Sequence, residues 1–222
     1  MKIQGVVFDF DGTIADTEPL WQRAELEILA TEGIVLTETE VTKTKGLAPL
    51  DAVSYWCNRA GKTVKSPALL THELTEAVIN LLKTEGELMP GIIETLEFWK
   101  SKALPMGIAS GSSMKHIKTI LDKFDLNKYF NLIYSADFER FGKPHPGIFI
   151  SACKKLKIDP LFSVAFEDSF NGILSAKAAR MKVVALLSDG QINDTKFDFA
   201  DLKIESLINF GATEFNLLES LL

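Results

Sequence analysis

The protein is 222 residues long and 46% hydrophobic, enough to bury a sizeable core as one large domain or as a domain with an insertion. A formal net charge of −6 argues against binding to nucleic acid or an anionic membrane, so an anionic substrate would need local positive charge, most simply from a metal ion. The sequence lacks a signal-peptide pattern and an apolar run of membrane-spanning length, so we expect a cytoplasmic protein. Cys57 and Cys153 lie in apolar helical patterns, so we expect two buried thiols and no disulfide.

The chain opens with an apolar strand that ends in two carboxylates, Asp9 and Asp11. Alternate residues of a strand point the same way, so both acids begin on one face, and Gly12 then lets the backbone turn. Crowded acids repel each other unless a cation neutralises them or one keeps a proton, which favours a functional site over a solvated turn. An EF-hand calcium loop does not fit, because its twelfth position would be Leu20 instead of a glutamate.

A helical pattern follows from Pro19 to about Leu82. Its apolar faces are predicted at Leu20, Trp21, Ala24 and Ile28, at Leu50, Val53, Cys57 and Ala60, and at Leu70, Leu74, Ala77, Val78 and Leu81. The pattern changes after Met89-Pro90-Gly91. We therefore expect residues 16–88 to form an all-helical domain inserted after the first strand.

Strands and helices alternate through the rest of the chain. Strands are predicted at 104–109, 132–135, 163–166 and 183–187, and helices at 114–124, 148–156 and 173–180. This alternation predicts an α/β fold, a Rossmann-like parallel sheet with helices on both faces, built from residues 1–15 and 89–222. Such sheets bind ligands at the carboxyl ends of their strands.

Two of those strand ends carry groups suited to an anion. Ser110-Gly111-Ser112 joins a strand to a helix start, where a hydroxyl and backbone N–H groups can bind an anion. An ordinary helix cap is the alternative for this segment. Lys143 stands between Gly142 and Pro144, in a shaped loop where its ammonium could neutralise a carboxylate and a phosphate oxygen together. A surface lysine is the alternative there.

A second acidic pair, Glu167 and Asp168, follows the strand at 163–166. With the first pair it supplies the hard oxygen ligands that Mg²⁺ prefers. Helix capping by Asp168 or Ser169 would explain one of these residues and leave Glu167 unexplained. The four strand ends together predict a metal-dependent phosphate site.

The order of these motifs, D-x-D-G-T, then serine, then lysine in G-K-P, then E-D, resembles the haloacid dehalogenase-like superfamily of phosphohydrolases over essentially the whole chain. The helical insertion resembles its C1-type cap. Three further runs resemble the branch that contains β-phosphoglucomutase and the sugar-phosphate phosphatases: Asp16-Thr17-Glu18-Pro19-Leu20-Trp21, Lys45-Gly46-Leu47 and Phe166-Glu167-Asp168-Ser169-Phe170-Asn171-Gly172.

The resemblance implies a phosphomonoester hydrolase for a small sugar phosphate or sugar-alcohol phosphate, with Asp9 as the nucleophile and Asp11 as the general acid and base. It implies a Mg²⁺ site, with Mn²⁺ or Co²⁺ as substitutes, at Asp9, Asp11 (through its carbonyl), Glu167 and Asp168. It implies phosphate binding by Ser110, Gly111, Ser112 and Lys143. Substrate choice falls to Glu18, Trp21, Lys45 and Trp56 of the cap and to Asn171, with plain helix packing as the alternative for both tryptophans.

Departures from relatives in that superfamily narrow the chemistry. Dehalogenases and phosphonate-cleaving members lack the second carboxylate, which is present here as Asp11. The mutases carry a cap histidine and a cap arginine where this chain has Trp21 and Pro49, which favours one-way hydrolysis of a monophosphate.

Two alternative functions remain open at this point. One is a phosphosugar mutase. The other is a receiver-like binding module controlled by phosphorylation, whose phosphorylated residue would be Asp137 on a later strand. The three histidines, His72, His116 and His145, have no ligand-like spacing and receive no role. We expect a small phosphorylated sugar or polyol as the ligand, no nucleic acid or membrane partner, and a monomer.

Overall fold

The structure is a computed structural model that describes residues 2–44, 47–61, 65–188 and 190–222. The chain divides into two compact units. Met1–Asp16 and Leu88–Leu222 form the first, called the core unit here, and Thr17–Glu87 form the second, called the helical unit.

The strands and α-helices of the described residues have the following bounds. The strands are β1 (Gly5–Phe8), β2 (Ala15–Asp16), β3 (Glu87–Leu88), β4 (Met106–Ser110), β5 (Leu132–Ser135), β6 (Ser163–Glu167), β7 (Lys182–Leu186) and β8 (Leu202–Ile204). The α-helices are α1 (Glu18–Ala30), α2 (Glu38–Val41), α3 (Pro49–Ala60), α4 (Pro67–Glu85), α5 (Ile92–Ser101), α6 (Met114–Lys123), α7 (Gly147–Leu156), α8 (Phe170–Ala178) and α9 (Ala212–Ser220).

Within the described residues, six strands form one parallel sheet in the order β5-β4-β1-β6-β7-β8, while β2 and β3 form a separate two-stranded sheet. Phe8 of β1 stands opposite Ile108 of β4 and Phe166 of β6. The chain runs outward from β1 in both directions, so β1 lies where the strand order reverses. Ligands of open parallel sheets bind at the carboxyl end of the strands at this point.

Both faces of the core sheet are covered. Val7 and Ala165 belong to a buried cluster with Phe149 of α7 and Ala176 of α8. The opposite face is aromatic, and its members stack or meet edge to face: Phe8, Phe166, Trp99, Phe210 and Phe215. The predicted parallel α/β architecture is therefore confirmed.

Element boundaries differ from the sequence prediction in a few places. The strand expected at 104–109 is Met106–Ser110, so Ser110 is the last strand residue. The sequence pattern does not predict α5 or α9, and the three-residue edge strand β8 is too short to show a period. Both cysteines are free and buried, as expected.

The helical unit packs α1 and α3 against α4. Its buried side chains include Leu20, Ala24, Leu29, Val53, Leu70, Leu74 and Val78. Ser66 caps α4, accepting a hydrogen bond from the Leu69 amide at 3.3 Å, and Pro67 follows it in the first turn. On α3 the predicted face is partly wrong, because Leu50 and Ala60 are exposed, whereas Trp56 is buried with Val53 and Cys57. Among the described helices, none combines the length and the apolarity needed to cross a membrane.

Candidate active site

The end of β1 turns sharply just after Asp9. The Asp9 amide donates to the Phe166 carbonyl at 2.9 Å, which extends the pairing with β6 by one residue. The Phe10 carbonyl then accepts the amides of residues 13, 14 and 15 at 3.3, 2.8 and 3.1 Å. Gly12 takes the left-handed conformation, with φ +75°, that this turn requires. The turn leaves the Asp9 side chain buried at the sheet edge and Asp11 partly exposed.

Three carboxylates gather at this edge. Asp9, Glu167 and Asp168 each place one oxygen within 4.8 Å of the others. Lys143 donates to Asp9 Oδ1 and to Glu167 Oε1, both at 2.5 Å, and Glu167 is fully buried. One lysine thus bridges two buried acids, with the half-buried Asp168 beside them.

Burial and charge act on this cluster in opposite directions. Burial, followed by the neighbouring charge of Glu167, raises the pKa of Asp9 to about 8, while Lys143 pulls it down. Burial alone would lower the pKa of Lys143, but the two carboxylates that it bridges hold it above the usual lysine value. Added positive charge here would favour ionised Asp9.

Two glycines make room for the acids. A Cβ on Gly12 would collide with the Asp168 carboxylate, and a Cβ on Gly172 would collide with the Glu167 carboxylate. Glu167 Oε2 also accepts the amide and the hydroxyl of Ser169, each at 3.1 Å. The second acidic pair is therefore packed in place against glycine backbone.

The donor set fits a hard divalent cation. It consists of carboxylate oxygens from three residues, and Lys143 donates to two of these residues, Asp9 and Glu167. The Asp11 carboxylate does not belong to this group. That separation is compatible with the predicted metal contact through the Asp11 carbonyl oxygen.

The Asp11 carboxylate lies instead beside the end of β4 and the start of α6. Ser112 Oγ donates to Asp11 Oδ2 at 2.6 Å, and Ser110 Oγ approaches the same oxygen at 3.5 Å. His116 Nε2 is 2.8 Å from Asp11 Oδ1, and this histidine is fully buried. Sequence reasoning assigned His116 no role. The available signal was its place beside Ile117, Ile120 and Leu121 on the buried face of α6.

In the β4–α6 loop, the hydroxyls of Ser110 and Ser112 are not helix caps. Ser113 caps α6, accepting from the His116 amide at 3.3 Å. Ser110 Oγ accepts the Ser112 amide at 2.9 Å, and Ser135 Oγ donates to the Ser112 carbonyl at 2.6 Å. The capping alternative is thus excluded for Ser110 and Ser112, whose hydroxyls face the Asp11 carboxylate.

The capping alternative for the second acidic pair applies to Ser169, which accepts the Gly172 amide at 3.0 Å as the N-cap of α8. Gly111 is exposed in the β4–α6 loop, and Asn171 is half-buried in the first turn of α8.

Asp137, the residue that a receiver-like module would phosphorylate, is exposed and accepts the Met114 amide at 2.8 Å. It lies outside the acidic group, which disfavours that alternative.

The residues expected to determine substrate specificity differ in burial and in hydrogen bonding. In α1, Trp21 is half-buried, and Glu18 accepts a hydrogen bond from Gln22 at 2.8 Å. Lys45 falls outside the described residues. Trp56 is 1% exposed and donates to Thr44 Oγ1 at 3.2 Å. These contacts favour the packing alternative for Trp56.

Known proteins resemble the whole chain. The family model for haloacid dehalogenase-like hydrolases matches residues 3–180. Hexitol phosphatase B of Escherichia coli strain K12 is 34% identical over 214 residues, 96% of each chain. The solved structure of CbbY from Rhodobacter sphaeroides in complex with phosphate has a TM-score of 0.82 at 26% identity, covering 96% of this chain and 98% of that one. β-Phosphoglucomutase from Clostridium difficile has a TM-score of 0.84 at 23% identity, covering 99% and 98%, and supports the fold.

Proposed function

The chain belongs to the haloacid dehalogenase-like hydrolase family, and we propose that it is a Mg²⁺-dependent phosphatase of small sugar phosphates or sugar-alcohol phosphates, of the hexitol phosphatase or 2-deoxyglucose-6-phosphatase type. The observation that carries the proposal is the bridge from Lys143 to Asp9 and Glu167, with Asp168 beside them. A buried nucleophile candidate, a lysine and further acids at one sheet edge are the parts that phosphoryl transfer requires.

The Asp9 carboxylate, the Asp11 carbonyl, Glu167 and Asp168 would hold the Mg²⁺ ion. When bound, the ion offsets the repulsion between an anionic nucleophile and an anionic phosphate. Glu167 also orients Lys143, because its buried Oε1 accepts from the ammonium.

Asp9 would act as the nucleophile. Its carboxylate oxygen forms a bond to phosphorus, the bond from phosphorus to the alcohol oxygen breaks, and an aspartyl-phosphate results. Lys143 fixes the direction of the carboxylate through Oδ1, which leaves Oδ2 for the attack. The lysine charge also opposes the rise in the pKa of Asp9 and so favours the reactive anion.

Asp11 would carry the protons. As an acid it protonates the departing alcohol oxygen, and as a carboxylate it then takes a proton from the water that attacks the aspartyl-phosphate. Its contacts with Ser110 and Ser112 put it beside the loop proposed to hold the phosphoryl group. That loop would bind phosphoryl oxygens through the two hydroxyls and the Gly111 amide, with Lys143 as the cation.

The proposal on substrate choice concerns four residues. Glu18, Trp21 and Lys45 of the helical unit and Asn171 of the core unit are proposed to distinguish sugar and polyol phosphates. The support is the resemblance of their motifs to sugar-phosphate phosphatases. Pro49, where the mutases carry an arginine, favours hydrolysis over phosphate transfer within a sugar. The cytoplasmic location and the monomeric state also stay predictions.

The decisive experiment measures inorganic phosphate released from a panel of hexitol phosphates, 2-deoxyglucose 6-phosphate and other sugar phosphates, with Mg²⁺ and with EDTA. We expect multiple turnovers that EDTA abolishes, and a loss of at least about 1,000-fold in kcat for Asp9→Asn. Asp137→Asn is the matched control, because this exposed acid lies outside the acidic group, and it should keep full turnover.

Three results would contradict the proposal. The first is near-normal turnover by Asp9→Asn. The second is loss of turnover in Asp137→Asn alone, which would favour the receiver-like binding module. The third is conversion of one sugar phosphate into its isomer without net phosphate release, which would make the protein a mutase.

A further inference from the structure

The two oxygens of the Asp11 carboxylate have different kinds of partner. Oδ2 accepts from the hydroxyl of Ser112 at 2.6 Å, in the loop proposed to bind the phosphoryl group. Oδ1 lies 2.8 Å from His116 Nε2, on a helix. Whether Asp11 is ionised or carries its proton on Oδ2, Oδ1 can only accept, so Nε2 is the donor in this contact. The acid is therefore held from one side by a loop hydroxyl and from the other by a buried ring.

His116 is rigidly placed. Its side chain is 1% exposed, and its ring meets Phe10 edge to face with centroids 5.6 Å apart. Its amide bonds to the N-cap Ser113, which fixes the first turn of α6. A position among Ile117, Ile120 and Leu121 would be filled more simply by an aliphatic residue, because a buried polar ring costs free energy unless it is hydrogen-bonded. The contact with Asp11 meets that requirement for Nε2.

We propose that His116 is a positioning residue for proton transfer: it holds Asp11 by Oδ1, so that Oδ2 is the oxygen that gives and takes the proton. This inference rests on the proposed function. When the hydroxyls of Ser110 and Ser112 turn to phosphoryl oxygens, Oδ2 is released toward the reacting atoms while Oδ1 stays on the fixed imidazole.

The proton steps balance with this assignment. In the first, the bond between phosphorus and the alcohol oxygen breaks, its electron pair goes to that oxygen, and the oxygen takes the proton from Oδ2. In the second, water oxygen bonds to phosphorus, Oδ2 takes the water proton, and the bond between phosphorus and Asp9 breaks. In both steps the transferred proton is on Oδ2, and the part of His116 is the hydrogen bond to Oδ1 that orients Asp11.

The effect of a misplaced Asp11 depends on the leaving group. A sugar alcohol leaves as a strongly basic alkoxide unless it is protonated, so its departure needs a well-placed acid. p-Nitrophenolate is a weak base and leaves without a proton. A misplaced Asp11 should slow the first step for an alkyl phosphate and spare it for p-nitrophenyl phosphate.

The test compares His116→Met with His116→Gln, two side chains of similar length of which only glutamine carries an N–H donor. The rate of the first turnover is measured for a hexitol phosphate, as alcohol released, and for p-nitrophenyl phosphate, as the p-nitrophenolate burst. For His116→Met we expect a loss of about 10- to 100-fold on the hexitol phosphate, a change below about 3-fold on the aryl phosphate, and KM within about 2-fold. His116→Gln should recover most of the loss.

Ile120→Val is the packing control, since it removes one buried methylene from the same helix, and it should leave the ratio of the two rates unchanged. That ratio is independent of the fraction of folded enzyme, so a partly folded preparation still gives a result. His116→Ala, measured in the same way, replaces the methionine variant if that protein does not fold.

Equal losses on both substrates, a change confined to KM, or no rescue by glutamine would each overturn the inference and leave His116 a packing residue. Failure of the proposed function is a different result, because the unmodified enzyme would then hydrolyse neither substrate and Asp9→Asn would change nothing.

Discussion

Each unit of the molecule buries an acid, but the acids have different partners. In the helical unit, Glu25 is 8% exposed and accepts a hydrogen bond from the neutral hydroxyl of Thr44 at 3.1 Å, to which Trp56 also donates. In the core unit, Asp9 is 6% exposed and shares Lys143 with the fully buried Glu167. Burial is the main cause of a raised pKa for both Glu25 and Asp9.

The second causes separate the two regions. For Glu25 they are hydrogen bonds from Thr44 and Trp56, which lower the pKa and so oppose burial. For Asp9 the second cause is a like charge, Glu167, which raises the pKa further. Neutral donors can supply the hydrogen bonds that a single buried carboxyl group needs, so such a group can be part of ordinary packing. Buried carboxylates placed close together repel each other and lower the stability of the fold. Such clustering indicates a site that binds a cation or a reacting group.

The largest effect is expected where the core unit loses its lysine. Lys143→Met would leave Asp9 and Glu167 buried without their shared ammonium, which should lower the free energy of unfolding by about 3–5 kcal/mol in metal-free protein. Urea unfolding measures this change. The matched control is Lys128→Met, which breaks an exposed ion pair with Asp125 and should cost under about 1 kcal/mol. Equal effects of the two variants would show that the Lys143 bridge is no stronger than a surface contact.

The sequence predicted the core sheet well because buried parallel strands appear as short apolar runs between turns. β5 was predicted with its observed bounds and β6 to within one residue. The approach of Asp9, Lys143, Glu167 and Asp168 was expected for the same reason, since parallel strands end at a common edge. Edge strand β8 and helix α9 gave no comparable pattern.

Features that depend on side-chain direction were not predictable in the same way. Which face of α6 meets Asp11 depends on how that helix packs on the sheet, so His116 was missed. The burial of Trp56 likewise depends on packing within the helical unit, since a tryptophan at that spacing suits a sugar face or a helix contact equally well. Periodicity predicts that a residue lies on one face of a helix, and the neighbouring elements decide what that face touches.

An intermediate effect is expected from a divalent cation, which should act on the core unit alone. Mg²⁺ at 100 times its Kd should raise the free energy of unfolding of the native protein by about 2.7 kcal/mol. Asp168→Asn should lose most of that gain, because it removes one of three clustered carboxylates. Thermal unfolding with EDTA and with Mg²⁺ gives the difference, and Glu25→Gln serves as the variant that keeps it. A full gain in Asp168→Asn would place the ion elsewhere.

The smallest effect is expected in the helical unit, from Glu25→Gln. Because the folded-state pKa of Glu25 lies above its unfolded value near 4.5, the folded state holds a proton that the unfolded state releases, so stability falls as the pH rises through this window. Glutamine removes that dependence and keeps a carbonyl oxygen for Thr44. As the pH rises from about 4 to 7, the free energy of unfolding of the variant should therefore increase relative to that of the native protein, by about 1 kcal/mol or less. Urea unfolding measures this difference. Phosphatase turnover should stay within about 2-fold, since Glu25 belongs to the packing of its own unit, and a large loss would mean that this buried acid also takes part in the reaction.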